Sequence, residues 1–434
     1  MLLYNNNKTE ITTYNRSSLK RILLPTLLLL LFLPSLQAQV KIDVEVRPRF
    51  EFRNGFKTLF PDNTDPAAFV SQRTRFNAGY KVEDLDLYVS FQNVRVWGDV
   101  PQLNSSDRNG IAIHQAWAKF KISDNLSLKA GRQEIIYDDS RFFGNVGWAQ
   151  QARSHDVAMF KYGKNKFKTD VGFAFNQDGE SLTGTVLTTN TYKAFQYLWM
   201  HKDWNSFSGS LLFLNNGLQY IDTADVNNNE TRYSQNLGTH LKYKKNKLSV
   251  TGNAYYQLGQ DRADNDLSAY LFGIDVQYKV ADRTKIGLGG EMQSGNDNGT
   301  IINKNNEAFN PLYGTNHKFN GLMDYFYVGN HINNVGLIDL YVSAKFIIKE
   351  KSTLDMAVHN FSSAADFSEK QFGNEVDLVY SLNVQKYVTI KAGYSQLFAA
   401  EGLEILKGNS DQNSNNWAWL MLVVKPTLFE KENK

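Results

Sequence analysis

Residues 270–279 have the sequence YLFGIDVQYK, in which two kinds of side chain alternate. The even-numbered positions are aromatic or aliphatic, whereas the odd-numbered positions from Gly273 to Lys279 are glycine, charged or amide residues. Successive side chains of a β-strand point to opposite faces. The segment is therefore predicted to be a strand with one apolar face and one polar face.

The same alternation recurs along the chain, for example at 126–131, 340–348 and 388–395. It predicts about 18 strands. They are expected near residues 41–53, 70–80, 85–97, 111–121, 125–136, 154–162, 166–176, 191–200, 205–214, 231–243, 246–258, 268–280, 283–294, 335–349, 351–363, 371–384, 386–397 and 415–425.

The predicted connections alternate between short and long ones. Short connections lie at 82–84, 123–124, 163–165, 202–204, 244–245, 281–282, 350 and 385. Long polar connections include 54–69, 98–110, 137–153, 177–190, 215–230, 295–334 and 398–414. All long connections then fall at one end, as in outer-membrane barrels with short periplasmic turns and long extracellular loops.

We therefore predict an all-β fold, a transmembrane antiparallel β-barrel of about 18 strands with both termini periplasmic. Residues 39–434 are expected to form a single barrel domain, because no linker or change in composition divides them. A soluble barrel or propeller is the alternative. A propeller would repeat a blade motif, and the sequence shows none.

Residues 1–38 have the features of a secretory signal peptide. Lys20 and Arg21 precede an apolar run from Ile22 to Leu33, and Ala38 ends the segment. The run is too short to span a bilayer as a helix. We expect cleavage after Ala38 and localisation in the cell outer membrane.

Composition excludes several classes of site. Removal of the first 38 residues leaves equal numbers of basic and acidic side chains, so net charge gives no reason to expect a nucleic-acid partner. The chain has no cysteine and no recognisable metal or phosphate-binding motif, so no cofactor is expected. Asp138 with Asp139, or Asp261 with Asp264, could hold calcium, although loop carboxylates are more often simply solvated.

Arginine is concentrated in the first third of the predicted barrel, where ten of the 13 arginines after the signal peptide lie. On the first strand Arg47, Arg49 and Arg53 all occupy odd-numbered positions, that is, they share one parity and so one face of the strand. Arg73 and Arg75 repeat this arrangement on the second strand. A lipid-facing arginine costs roughly 2 to 4 kcal/mol at the bilayer midplane. These side chains are therefore predicted to face the lumen.

Two explanations for the arginine cluster stay open. Guanidinium groups match carboxylates and phosphates in geometry, so the cluster could attract anions. Alternatively, carboxylates could neutralise it in a structural network, the candidates being Glu51, Asp86, Asp138 and Asp139. Arg95 and Arg132 fit less well, because they share parity with apolar neighbours and require a bulge or a strand end.

No catalytic residue is predicted, and the chain is expected not to be an enzyme. His155 and Asp156 are adjacent, but neighbouring strand residues point to opposite faces. They are therefore poorly placed to act as a base and its orienting acid.

Several short motifs follow one another along the chain: RPRFE at 47–51, QRTR at 72–75, FQNVRVWG at 91–98, GRQ at 131–133, RFFG at 141–144 and NPLY at 310–313. Their order resembles that of the alginate export family of outer-membrane porins. The resemblance implies a monomeric barrel of about 18 strands whose arginine-rich lumen passes an anionic polyuronate. Asp138 and His155 depart from the family pattern.

These observations predict a passive porin for anionic saccharides, either alginate-like polyuronates or related acidic sugars. The predicted pore-lining or substrate-binding residues are Arg47, Arg49, Arg53, Arg73, Arg75, Arg95, Arg132, Arg141 and Arg153. Expected partners are outer-membrane lipid and an acidic oligo- or polysaccharide, with a periplasmic partner left open. The alternatives are an outer-membrane lipid hydrolase and a surface-binding structural barrel. Aromatic residues within 295–334 could instead fold that loop inward as a lid.

Overall fold

The computed structural model describes residues 38–225, 228–327, 329–408 and 413–431. No helix among these residues is long and apolar enough to cross a membrane. The predicted signal peptide lies outside the described residues except for Ala38, so its cleavage stays a prediction.

The described residues form 20 strands and one short α-helix, α1 (Glu401–Lys407). The strands are β1 Gln39–Asn54, β2 Ala67–Val82, β3 Leu85–Val96, β4 Ala112–Ser123, β5 Leu126–Gln133, β6 His155–Lys164, β7 Phe167–Phe175, β8 Tyr192–Asp203, β9 Phe207–Tyr220, β10 Glu230–Lys245, β11 Leu248–Gln260, β12 Asp266–Ala281, β13 Thr284–Gln293, β14 Asn305–Asn306, β15 Leu337–Lys349, β16 Ser352–Ser362, β17 Gln371–Gln385, β18 Val388–Ala399, β19 Asn415–Val424 and β20 Thr427–Lys431.

Eighteen of these strands close into an antiparallel barrel, which confirms the predicted fold. Each pairs with the next along the chain, and β19 pairs with β1 to complete the ring. The two-residue β14 lies in a loop and pairs parallel with β12, so β13 pairs with β15 instead. The short β20 pairs with the beginning of β1.

The apolar face of each strand points outward, toward lipid. On β12, Phe272 is 55% exposed and Ile274 is 56% exposed, whereas Leu271, on the other parity, is fully buried. A globular protein would bury such residues, but a membrane barrel presents them to the hydrocarbon. The period-2 pattern therefore places the polar side chains inside.

The connections differ in length between the two ends of the barrel. Two-residue turns join β6 to β7 and β10 to β11, and in the first of these Asn165 and Lys166 both have positive φ, as tight hairpin turns require. At the other end, 261–265 and 363–370 are shorter than most of their neighbours. Because β9 continues to Tyr220, the loop that follows it is 221–229 and not the predicted 215–230.

Two extracellular loops, 134–154 and 294–336, fold into the barrel, and together we call them the plug. They contact one another through backbone hydrogen bonds: the Gly144 amide donates to the Tyr313 carbonyl (2.9 Å), and the Thr315 amide donates to the Ser140 carbonyl (2.9 Å). The hypothesis that aromatic residues draw 295–334 inward agrees with this geometry, since Tyr325 is fully buried.

Two apolar clusters hold the plug to the inner wall. In the first cluster, Phe143 packs against Phe195 of β8, with ring centroids 6.1 Å apart. In the second, Phe326 packs against Phe361 of β16, with ring centroids 4.7 Å apart. The lumen is therefore partly filled by a packed core.

Candidate functional site

Three of the predicted arginines lie beneath plug segment 147–151. Arg47 Nη1 donates to the Gly147 carbonyl (2.7 Å), Arg49 Nη1 to the Trp148 carbonyl (2.7 Å) and Arg73 Nη1 to the Gln150 carbonyl (3.3 Å). Each residue is at most 6% exposed. Their side chains face inward, as parity requires, but Arg47 and Arg73 are covered by the plug and anchor it to β1 and β2.

Carboxylates accompany this cluster. Glu51 is fully buried and accepts hydrogen bonds from Arg49 Nε (2.9 Å) and Arg53 Nη2 (2.9 Å), and Glu45 forms an ion pair with Arg73. Of the four predicted counter-charges only Glu51 lies here. The others have different partners: Asp86 pairs with Lys119, Asp138 accepts from Ser210 and Trp199, and Asp139 accepts from Asn253.

Arg75 and Arg153 form no ion pair among the described residues. Arg75 is half-buried, and its Nε donates to Gln92 Oε1 (2.9 Å). Arg153 Nη1 donates to the Gly314 carbonyl (3.1 Å). Burial lowers the pKa of Arg153, with Tyr313 acting in the opposite direction. No carboxylate acts on Arg153 in this part of the chain, whereas the charges of Glu45 and Glu134 partly offset that of Arg75.

Arg95 and Arg132 do not belong to the inward-facing cluster. Arg95 lies opposite Gln72 in the β2–β3 ladder and shares the outward parity of Phe91; it forms an ion pair with Asp107 in the next loop. Arg132 shares the outward parity of its apolar neighbours on β5 and pairs with Asp156 (2.7 Å). Both lie at strand ends, where the backbone leaves the apolar zone, so the outward parity does not require contact with lipid.

Arg141 is 1% exposed and joins the two plug loops to the wall. Its Nη2 forms an ion pair with Glu291 of β13 (2.6 Å) and donates to Asn320 Oδ1 (3.3 Å). Its Nη1 donates to Asn316 Oδ1 (3.3 Å). These contacts satisfy its charge within the plug, so we assign Arg141 a structural role.

Two cavities open at the extracellular end. The first, of about 600 Å³, we call the arginine vestibule. Its lining includes five basic side chains and three carboxylates, namely Arg49, Arg53, Lys57, Arg95 and Arg153 against Glu51, Asp99 and Asp324. The second, of about 800 Å³, we call the loop pocket; it is lined by Arg132, Arg153 and Arg262 together with Asp156 and Asp261. Arg153 lines both cavities.

A third cavity, of about 540 Å³, lies within the barrel along β11 to β17, and we call it the inner cavity. Its charged lining is mainly acidic, with Asp139, Asp275, Glu291, Asp339, Asp355 and Asp377 against Lys285, Lys318 and Lys345. Residues of plug segment 310–324 line all three cavities. This segment therefore lies between the inner cavity and the two extracellular ones. Sequence parity could not reveal the basic and acidic cavities, since both sets of side chains face inward.

One Ser–His–Asp arrangement occurs on the inner wall, which sequence analysis missed because its members lie on two strands. His201 Nδ1 is 2.8 Å from Ser210 Oγ, and His201 Nε2 is 3.1 Å from Asp203 Oδ1. Ser210, however, donates its hydroxyl proton to Asp138, so His201 is not positioned to remove that proton. Ser210 is also 4% exposed. The geometry is that of a hydrogen-bond network and not of an activated nucleophile.

His155 and Asp156 point to opposite faces, as expected: His155 is 3% exposed, and Asp156 pairs with Arg132. In the part of the chain that the structure describes, no group of three His, Asp or Glu side chains is arranged to hold a metal ion. Asp261 accepts hydrogen bonds from the backbone amides of Ala263 (2.8 Å) and Asn265 (2.9 Å), so this carboxylate stabilises its own turn.

The fold is shared with solved outer-membrane proteins. OpdK from Pseudomonas aeruginosa is 11% identical and superposes with a TM-score of 0.60 over 90% of this chain and 98% of its own. OccAB4 from Acinetobacter baumannii is 10% identical, with a TM-score of 0.62 over 90% and 98%. OccK8 (OprE) from P. aeruginosa is 12% identical, with a TM-score of 0.61 over the same shares. Comparison with curated proteins gives no match.

A model of the alginate export family matches residues 38–368 of the sequence. This range covers the arginine-rich strands, both plug loops and the motifs at 47–51, 141–144 and 310–313. The match extends over most of the chain and agrees with the barrel architecture. The protein is therefore an outer-membrane β-barrel that belongs to the alginate export family.

Proposed function

We propose that this outer-membrane porin passes anionic saccharides passively, and that alginate-like polyuronates or related acidic sugars are its solutes. The observation that carries the proposal is the arginine vestibule, where basic side chains outnumber carboxylates at the extracellular end of the lumen. Arg153, which has no ion pair among the described residues, stands where the vestibule meets the loop pocket. A solute carboxylate can bind there without displacing a protein carboxylate.

Guanidinium groups suit this task. Each presents a planar set of N–H donors that matches a carboxylate, and the charge persists at every physiological pH. A water-filled cavity screens these charges, with a Debye length of about 8 Å at physiological salt, so several must act together to raise the local anion concentration. A structure of the neighbour OpdK contains vanillate, an aromatic carboxylate, which supports an acidic solute class for a barrel of this shape.

The acidic inner cavity limits how strongly the pore prefers anions over cations. Apart from Asp139 of the plug, its carboxylates lie on β12 to β17, whereas the arginine cluster lies on β1 and β2. We infer that anions follow the basic wall and that selectivity is moderate. The proposal includes no enzymatic step, and Ser210, the best-placed nucleophile, gives its proton to Asp138.

The test is the reversal potential of the protein in a planar bilayer under a potassium chloride gradient. The parent should prefer chloride, and an Arg53→Ala, Arg153→Ala variant should reduce that preference roughly twofold, because each charge is partly screened. The matched control is Arg232→Ala, Arg283→Ala, which removes the same charge outside the vestibule. A cation-selective parent, or a test variant that behaves like the control, would refute the proposal.

A further inference from the structure

The loop pocket contains two arginines with unused hydrogen-bonding capacity. Arg262, in the loop between β11 and β12, donates through Nη1 to Asn190 Oδ1 (2.7 Å) and through Nη2 to the Thr191 carbonyl (3.5 Å), and its buried Nε has no hydrogen-bond partner. The Arg153 guanidinium makes a single hydrogen bond to the plug within the described residues, to the Gly314 carbonyl. Neither arginine forms an ion pair in the part of the chain described.

The carboxylates of the same pocket are already engaged. Asp156 pairs with Arg132 (2.7 Å). Asp261 accepts hydrogen bonds from its own turn and from Asn306 Nδ2 (3.0 Å). Asp261 accepts only from neutral amides and keeps its charge, so the three arginines and two carboxylates of the lining leave a net positive charge for an occupant from outside.

Tyr313 lines the loop pocket together with both arginines. Burial and Tyr192 raise the pKa of Tyr313, and the charges of Arg153 and Arg262 act in the opposite direction. Leu187, Leu218 and Tyr192 complete an apolar floor beside amide and hydroxyl groups of the surrounding loops. A pocket of about 800 Å³ that combines an apolar floor with a few convergent polar groups has the size and character of a small-molecule site.

We propose that the loop pocket is a binding subsite for one uronic-acid residue of an acidic saccharide, whose carboxylate is held between Arg153 and Arg262. The subsite rests on the proposed function and adds a place and an orientation to it. The saccharide binds at the extracellular mouth, with its carboxylate on the guanidinium groups and its ring against the apolar floor. Arg153 then connects this subsite to the arginine vestibule, so one chain can contact both cavities.

The experiment measures how long a uronic-acid trisaccharide blocks the ion current of single channels when it is added to the long-loop side. Arg262→Gln should shorten each block about tenfold, the value of one lost charge-assisted hydrogen-bond pair. Arg262→Lys should shorten the block less, because the positive charge remains and only the planar set of N–H donors is lost. Arg283→Gln, the same substitution in a turn at the opposite end, should leave the block unchanged.

A neutral trisaccharide of the same size serves as the second control and should respond to none of these substitutions. Equal block times for the parent and Arg262→Gln would overturn the subsite while leaving the proposed function standing. A parent that is cation-selective and shows no block from either side would instead overturn the proposed function. Unit conductance in high salt verifies that each variant forms the barrel, and Arg262→Lys carries the test if Arg262→Gln does not insert.

Discussion

Removal of Arg47 should loosen the plug. Its guanidinium donates to the carbonyls of Gly147 (2.7 Å), Trp148 (3.1 Å) and Ala149 (3.2 Å) and to Gln150 Oε1 (2.9 Å). Arg47 forms no ion pair among the described residues, and Glu45, whose charge it attracts, keeps its ion pair with Arg73. Arg47→Ala therefore leaves these acceptors unpaired without stranding a carboxylate, and its main effect is the loss of the anchoring contacts.

The magnitude follows from the number of contacts. A hydrogen bond to a charged group contributes about 1.5 to 3 kcal/mol. When the plug lifts, water can form some of the hydrogen bonds that are lost, so the total is smaller than the sum of the four contributions. We take about 3 kcal/mol for the set. At about 1.4 kcal/mol per factor of ten, the equilibrium between the lifted and the seated segment 147–151 should shift about 100-fold toward the lifted state.

Hydrogen exchange of the amides in 144–153, measured with the protein in detergent or bilayer discs, tests this expectation. The Arg153 amide donates to the Asn145 carbonyl (2.7 Å), and this hydrogen bond closes the loop that contains segment 147–151, so the protection of the Arg153 amide should fall in Arg47→Ala. Arg53→Ala is the matched control, since it lies on the same strand face and bonds to Glu51 but not to 147–151. Unchanged protection in Arg47→Ala, or an equal loss in the control, would show that Arg47 does not anchor the plug.

Three further outcomes are expected. Arg141→Ala should destabilise the barrel by about 3 to 5 kcal/mol in thermal unfolding, because Glu291 would keep a buried, unpaired charge. The double variant Arg141→Ala, Glu291→Gln should recover part of this loss of stability, and a double variant without recovery would contradict the ion-pair account. Asp275→Asn with Asp355→Asn should raise the chloride preference in reversal-potential measurements, and a fall would show that the inner cavity does not face the ion path. Burial lowers the pKa of His331 to about 4, so the plug should lose stability, by about 3 kcal/mol in full, as the pH falls from the ordinary histidine pKa of 6.5 toward 4. Amide exchange in 329–336 should therefore rise over that pH range in the parent and not in His331→Phe. Exchange in the parent that does not depend on pH would refute this expectation.

Strand positions could be predicted because their signal is local. Alternation such as that of 270–279 requires only that one face of a strand meets lipid and the other meets water, and this condition holds at every strand of the barrel. Strand ends were less predictable: β9 extends to Tyr220, and within this extension Asn216 is fully buried and accepts a hydrogen bond from Tyr313 of the plug. The inward parity of Arg47 and Arg73 followed from the cost of exposing arginine to hydrocarbon.

The plug and the cavities could not be predicted, because they depend on contacts between distant segments. Arg141 meets Glu291, 150 residues away, and no periodicity marks either residue as a partner. Glu45 was not recognised as a counter-charge for Arg73, although both lie on the inward face and 28 residues apart. The outward parity of Arg95 did not fix its surroundings, since this arginine lies at a strand end, where it pairs with Asp107 and also lines the arginine vestibule.

The transport of acidic saccharides is tested most directly by comparing two solutes of equal size. Vesicles that contain the protein are loaded with a uronic-acid trisaccharide and a neutral trisaccharide, and the release of both is followed over time by mass spectrometry. Because the extracellular cavities carry unneutralised arginines, the uronic-acid trisaccharide should leave faster than the neutral one, and the advantage should shrink at high salt as the charges are screened. Faster release of the neutral trisaccharide, or equal rates at every salt concentration, would contradict the account.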